Sequence, residues 1–481
     1  MSRVDPPSGQ ARAALLHRID RFPRWGLSIV SVITIGLGMM FVQYDIFNIN
    51  VSFVQTCAQI VDGCSPATSD LFIGLPVFLS LVGYGVGALL LGPLSDRFGR
   101  HSLLIIAMVI TGIGSLYSAL SINETHFALS RLVTGIGIGA DLAIINVFVS
   151  EVSPRRMRGR YTSVLFFMAA LGAALGIWLG LYLTTPMTPW PQGLPFALAS
   201  ESFDTGWRWV YGVGAILAGI SLVLRVALPE SPRWLIEQGR HEEASTVIVR
   251  MEALATRRSS LLPEDTAATL PPEPSGGTLR AIRELMTSPR YLQRLIILGV
   301  AWLLGYITIY AFAGAFTSVL VRQGLTAAEA GMVSAVGLSG FIAAAIVARY
   351  VVDRVERKWW MLIGSLITII GALVVAFGNG SPFVMFGGAV VLFFGQNIWV
   401  PAQYALTAES FPTRFRTSAY ALADSIGHVG GGLGVFLLVG VLSQFPLEIT
   451  MLGLVAFLVV GALVNLLAPR TRDKALEDIS S

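Results

Sequence analysis

The chain has 481 residues, 54% of them hydrophobic and only 13% charged, with a mean hydropathy of +0.70. Soluble globules carry about a quarter charged residues, so this composition excludes a water-soluble enzyme or binding domain and makes lipid the solvent for most of the chain. The net charge of +4 does not point to nucleic acid, because the basic residues sit in short breaks between apolar runs rather than on one polar face.

Residues 1–24 carry Arg3, Arg12, Arg18, Arg21 and Arg24, and the apolar run that follows is too long for the core of a cleavable signal, so it reads as a first span. Apolar runs then fall near 27–53, 71–94, 103–121, 127–150, 161–184 and 208–228, and again near 293–320, 328–352, 359–378, 383–407, 417–442 and 447–468. A span needs roughly 20 apolar residues, and in hydrocarbon only a helix satisfies its own backbone without closing a barrel. The expected fold is therefore all-α and integral to the membrane, with twelve transmembrane helices in two pseudo-symmetric six-helix bundles. Residues 1–228 form the first bundle, 229–292 a connecting segment, and 293–481 the second bundle and tail.

Lys and Arg concentrate after runs 2, 4, 8 and 10, whereas the breaks 54–70, 122–126, 185–207, 379–382 and 443–446 have none and 321–327 has only Arg322. The basic breaks are expected to face the cytoplasm, with both termini. Within the middle segment, 230–258 has the charge and apolar spacing of amphipathic surface helices, and 259–279, with five Pro and Gly between Pro271 and Gly277, reads as flexible linker. The only two cysteines, Cys57 and Cys64, are too few for a disulfide framework or a zinc cluster. They share the first outer break, where either a disulfide or two free thiols fits an oxidising side. Asn123-Glu124-Thr125 matches a glycosylation sequon in a loop short enough to make it a chance match.

One signature occurs twice. Asp96-Arg97 with Arg100 recurs as Asp353-Arg354 with Arg357, an offset of 353 − 96 = 257, and Glu151 with Arg158 recurs as Glu409 with Arg416, an offset of 409 − 151 = 258. Two pairs at one spacing indicate a duplicated bundle, and such bundles bind solutes between their halves.

These motifs resemble those of the major facilitator superfamily over nearly the whole chain. Gly92 to Arg100 is similar to its G-x-L-x-D-R-x-G-R/K loop, Arg131-Leu-Val-Thr-Gly-Ile-Gly137 to the R-x-x-x-G-x-G of its fourth helix, and Pro229-Glu-Ser-Pro-Arg-Trp-Leu235 to the P-E-S-P-R-W-L of sugar porters. Residues 469–478 are a degraded likeness of the same branch's tail. Two further matches pull toward the phosphate:proton and organic-ion transporter branches: Tyr44-Asp-Ile-Phe47 and Gly137-Ile-Gly-Ala-Asp141 resemble the Y-D-L-F and G-I-G-G-D of phosphate symporters, whose matching aspartates take part in proton coupling. Residues 301–306 depart from both branches, lacking the Gln-rich sugar motif and the acidic residue of phosphate carriers.

An ionised carboxylate in hydrocarbon costs roughly 3 kcal/mol or more, so Asp45 and Asp141 are candidate proton-coupling groups, the alternative being a structural hydrogen bond or a pair with Arg131. Arg131 either tunes a nearby carboxylate or snorkels to the outer interface. Asp424 and His428, four apart on one helix face, form a second candidate proton site, a substrate contact, or a satisfied interhelical pair. Gln43, Asn48, Asn146, Gln396, Asn397, Trp399, Gln403 and Tyr404, with Trp302, Tyr306 and Tyr310, supply amides and aromatic faces of the kind that line small-solute sites, although each alone fits interhelical glue. Glycines at 172, 176 and 180 and at 427, 430, 431, 432 and 434 suggest tight sliding contacts between the halves. Asp96 with Arg97 or Arg100, Glu151 with Arg158, Asp353 with Arg357 and Glu409 with Arg416 are candidate ion pairs of an inner gate, against simple positive-inside anchoring.

The expected function is proton-coupled symport of a small polar organic solute, a sugar or organic acid, by a monomer in the plasma membrane. Phosphate or another inorganic anion, an uncoupled facilitator and a transporter-like nutrient receptor are the competing readings. No nucleotide loop, metal-spaced cluster or nucleophile triad suggests an enzyme, a cofactor or a metal, and no nucleic-acid partner is expected.

Overall fold

The computed structural model describes residues 9–22, 26–153, 158–257, 261, 278–378, 381–412 and 416–471. Among them twelve helices are long and apolar enough to cross a bilayer. Spans 1 to 6 are Ile29–Phe47, Pro66–Phe98, Arg100–Ala119, Glu124–Val149, Val164–Thr184 and Gly206–Arg225. Spans 7 to 12 are Pro289–Arg322, Ala327–Val351, Arg357–Phe377, Pro382–Glu409, Ser418–Leu442 and Leu447–Asn465. Number and order follow the apolar runs; the boundaries move, because span 2 gains two short helical turns from Pro66 and span 7 begins at Pro289, where proline suits a first helical turn.

Besides the short turns that open span 2, spans 1, 10 and 11 change helix part-way. Span 1 continues past Asn48 as Ile49–Ile60. Span 10 changes helix between Ile398 and Val400, where Pro401 lacks the N–H that would continue the ladder. Span 11 passes through a π-turn at Val435–Val439 after its glycine-rich stretch. Among the described residues strand pairing is limited to the isolated bridges Pro186–Ala199 and Ser200–Phe203, in the break between spans 5 and 6. The basic breaks lie together at one end of the bundle, called here the basic face.

At that face Pro232–Glu237 and His241–Ala255 form the two expected surface helices, joined by an N-terminal helix, Gly9–Asp20, that the sequence reading did not anticipate. Arg18 ties it to Glu252 at 2.5 Å. The linker 259–279 lies almost wholly outside the described residues. The Pro-Glu-Ser-Pro-Arg-Trp-Leu motif staples spans 2, 3 and 4. Glu230 accepts from the backbone N–H of Arg100 at 3.0 Å and of His101 at 3.2 Å, capping span 3 where its first donors would otherwise be orphaned. Trp234 Nε1 donates to the Asp96 carbonyl and Arg233 Nε to that of Glu151, at 2.8 and 2.9 Å. Gly99 leads into span 3 with φ +99°, and a side chain there would collide with the Glu230 carboxylate.

The halves are tied at the face opposite the basic one. Asn50 donates to the carbonyls of Phe312 and Ala313 and accepts from Thr317. Ser443 donates to Asp70, and Arg322 to the Ala67 carbonyl. Cys57 and Cys64 form a disulfide that closes the loop next to these contacts. The glycine expectation needs correction. Gly172, Gly176 and Gly180 sit against Met40, Tyr44 and Asn48–Val51 of span 1 in the same half, and Gly427, Gly430, Gly431 and Gly434 sit against span 7. Of these eight, only Gly432 meets the other half, at Leu81 and Phe78.

Candidate functional site

Spans 1, 2, 4 and 7 enclose a cavity of about 20 Å³ between the halves, lined by Ile46, Ile49, Val77, Ser80, Leu81, Arg131, Tyr310 and Gly314. That is room for about one water. Its one charged wall is Arg131, 1% exposed, whose Nη1 pairs with Asp45 Oδ2 at 2.8 Å while Nη2 donates to the Asp45 carbonyl. Ser115 donates to the other Asp45 oxygen at 3.1 Å, and the guanidinium lies 5.6 Å from the Tyr211 ring. Arg131 is thus a partner for a carboxylate rather than a snorkelling anchor.

Asp141 does not pair with Arg131. Arg225 of span 6 grips it with both nitrogens, Nη2 to Oδ2 at 2.9 Å, and also donates to the Leu104 carbonyl. Both residues are fully buried, and the pair joins spans 4 and 6 within one half. The sequence pattern offered no role for Arg225, which sits at the end of an otherwise apolar helix.

Across the midplane lies an aromatic cluster. Tyr84 of span 2 stacks on His428 with centroids 3.6 Å apart, and its hydroxyl donates to Asp424 Oδ2 at 2.9 Å, crossing from one half to the other. Tyr306 and Tyr310 lie 4.6 and 5.6 Å from the same imidazole. Trp302 packs on Tyr306 and Tyr404, each at 4.8 Å, and the hydroxyls of Tyr306 and Tyr404 bond at 2.9 Å. Trp399 adjoins Trp302 at 5.6 Å. Three of the expected solute contacts bond within the protein, two of them to another span. Gln403 donates to Asn465, Asn397 to the Phe341 carbonyl, and Asn146 to Leu142 of its own helix. By contrast, the side-chain amide of Asn48, Gln396 Nε2 and Trp399 Nε1 are buried without a hydrogen-bond partner, and Gln43 is half-buried on span 1.

A model of the sugar (and other) transporter family matches residues 30–481. The chain belongs to this family. The glucose transporter GlcP of Staphylococcus epidermidis is 28% identical over 419 residues, covering 84% of this chain and 87% of its own. The niacin transporter NiaP of Acinetobacter baylyi is 26% identical, covering 97% and 99%. Among solved structures, a D-xylose-proton symporter superposes with a TM-score of 0.70 over 93% of this chain and 99% of its own, at 20% identity. An inward-open xylose transporter XylE from Escherichia coli gives 0.69 over 93% and 98%, at 22%. These last two likenesses concern the fold. The chain is thus a multi-pass membrane transporter of the major facilitator fold that carries a small molecule, and not an enzyme.

In this transporter the basic face carries an ion pair in each half, and the expected Asp96–Arg100 contact is one of them. Arg100, 3% exposed, bridges Asp96 at 2.6 Å and Glu151 at 2.8 Å, and Arg357 pairs with Glu409 at 2.8 Å. Glu151 pairs with Arg100 and Glu409 with Arg357, and since 357 − 100 = 257 the same bond is made once in each half. Arg97 lies over the Phe98 ring at 5.3 Å. The side chains of Arg158, Asp353 and Arg416 lie outside the described residues.

Proposed function

We propose that the chain is a proton-coupled symporter of a small polar organic solute, working by alternating access as one half rocks on the other. The observation that carries the reading is the buried Asp45–Arg131 pair, whose arginine forms a wall of the cavity between the halves. A proton on Asp45 removes the negative partner, frees Arg131, and changes the contacts available to the solute at the same time. That is the linkage coupled transport needs, because a ligand shifts a conformational equilibrium only through different contacts in the two states. Asp141, held by both nitrogens of Arg225, is assigned as a static brace within its half. Arg100 with Asp96 and Glu151, and Arg357 with Glu409, are assigned as braces that keep each half rigid at the basic face while the inner gate opens.

The excess of Lys and Arg supports a cytoplasmic basic face in the plasma membrane, with the disulfide on the outside. The contacts sealing the opposite face then make this conformation closed to the exterior. Glucose, D-xylose and niacin in the names of the relatives support sugars and small organic acids as the first solutes to test. The test is uptake into proteoliposomes across sugars, organic acids, amino acids and phosphate, with and without an imposed pH gradient. Accumulation of one solute driven by the gradient, and lost in Asp45→Asn, is expected. Equilibration that ignores the gradient in both proteins identifies an uncoupled facilitator and overturns the proton reading.

A further inference from the structure

We infer that the break between spans 5 and 6 is a strap seated in the membrane. Its exposed aromatic edge, Trp190 and Phe196, docks into the headgroup region of the lipid leaflet at the face opposite the basic one, across the seam between the two halves.

Large apolar side chains on a protein surface are ordinarily scattered singly. Residues 185–207 depart from that pattern. They include no Lys or Arg, Trp190 and Phe196 are 54% and 61% exposed, and Met187 and Leu198 are exposed as well. The backbone beneath these side chains is fixed. Leu194 and Ala197 are buried in the core, Thr188 N–H donates to the Leu194 carbonyl at 3.1 Å, and Leu198 N–H donates to the Tyr182 carbonyl at 2.9 Å. Pro186, Pro189, Pro191 and Pro195 restrict the chain between them. A folded segment thus holds its rings outward, toward something apolar outside the chain.

The spans beside the rings identify the partner as lipid. Leu175, Trp178 and Tyr182, three and four residues apart, share one face of span 5, and Leu175 and Trp178 are exposed on this transmembrane helix. Phe196 packs on Tyr182 with centroids 6.2 Å apart, carrying that apolar stripe past the helix end. In the other half Phe383 and Val384 are exposed in the first turn of span 10, and Trp190 packs on Phe386 at 6.1 Å. Each ring therefore stands level with the end of a span, at the boundary of hydrocarbon and water where aromatic side chains settle. Between the rings the strap crosses from one half to the other. A Cβ on Gly193 would stand 3.1 Å from that of Ala328 at the start of span 8, and just below, Gly331 of span 8 faces Leu181 and Thr185 at the end of span 5. Opening of this face must then draw the rings through lipid.

The test places the photoreactive ring of p-benzoylphenylalanine at Trp190 or Phe196, an aromatic exchange on the surface, with Phe383 as a further site on the same patch. Ser202, exposed beside Glu201 in the stretch that leads toward span 6, is the water-facing control. Each full-length protein is reconstituted in liposomes of phosphatidylcholine and phosphatidylglycerol, irradiated, and analysed by intact-mass and peptide mass spectrometry. Phospholipid adducts are expected at 190 and 196 in a yield severalfold above that at 202. A yield no higher than at 202 means that the rings stand in water. Cross-links within the chain in place of lipid adducts mean that they pack on protein, and cross-linked dimers mean that a second copy covers the patch. Each of these three outcomes overturns the assignment, and none of them depends on which solute is carried or on whether protons drive it.

Discussion

Arg131 and Arg225 are fully buried guanidiniums, and each depends on one carboxylate. Removing one partner of a buried pair leaves the other charge uncompensated and costs about 3–5 kcal/mol, whereas replacing both with apolar residues is often neutral. Asp141→Ala is therefore expected to lower the unfolding midpoint of the purified protein strongly, and Asp141→Leu with Arg225→Met to recover most of it. A single variant that melts like the wild type would contradict the brace. Asp45→Asn carries the same penalty, but its distinguishing readout is uptake, since its partner Arg131 borders the cavity and Arg225 does not. The sequence offered Arg131 as a partner to either aspartate without choosing between them, and gave no sign of Arg225. The intervals 131 − 45 = 86 and 225 − 141 = 84 follow no helical or repeat period, and the choice of partner depends on which helix faces turn toward each other.

At the scale of one element, the entry to span 3 was legible as a motif but not as a mechanism. Pro229 to Leu235 announced a family, and only the fold places Glu230 over the first two N–H groups of the helix. Glu230→Ala is expected to cost about 1 kcal/mol or more, as loss of a helix cap does. Gly99→Ala adds a left-handed backbone penalty of about 1–2 kcal/mol and a collision with the same carboxylate. Detergent melting curves check both, and Gly99→Ala should be the more damaging of the two. The interruption of span 10 was readable from Pro401, whereas that of span 11 was not, because a π-turn leaves no residue signature in a glycine-rich stretch.

For the whole molecule, twelve apolar runs and a repeated loop sufficed to predict two bundles, because lipid forbids most alternatives and duplication repeats its signature at one spacing. What stayed hidden is how the bundles touch. Ser443 and Asp70 are 373 residues apart and resemble any loop serine and aspartate, yet they close the face opposite the basic one. Ser443→Ala together with Arg322→Ala, which also frees Ala67, is expected to shift the population toward the state open on that side. With Gly314→Cys in the cavity wall, labelling by a membrane-impermeant thiol reagent applied outside intact cells should then rise severalfold over the single Gly314→Cys protein. Unchanged labelling would mean that these bonds do not hold the outer side shut.

The disulfide gives such work an unplanned convenience. Both cysteines of the chain are bonded to each other, so any cysteine introduced elsewhere is the sole free thiol toward maleimides or thiol-directed spin labels. Two introduced together report an interprobe separation against a silent background, with nothing in the natural sequence deleted first.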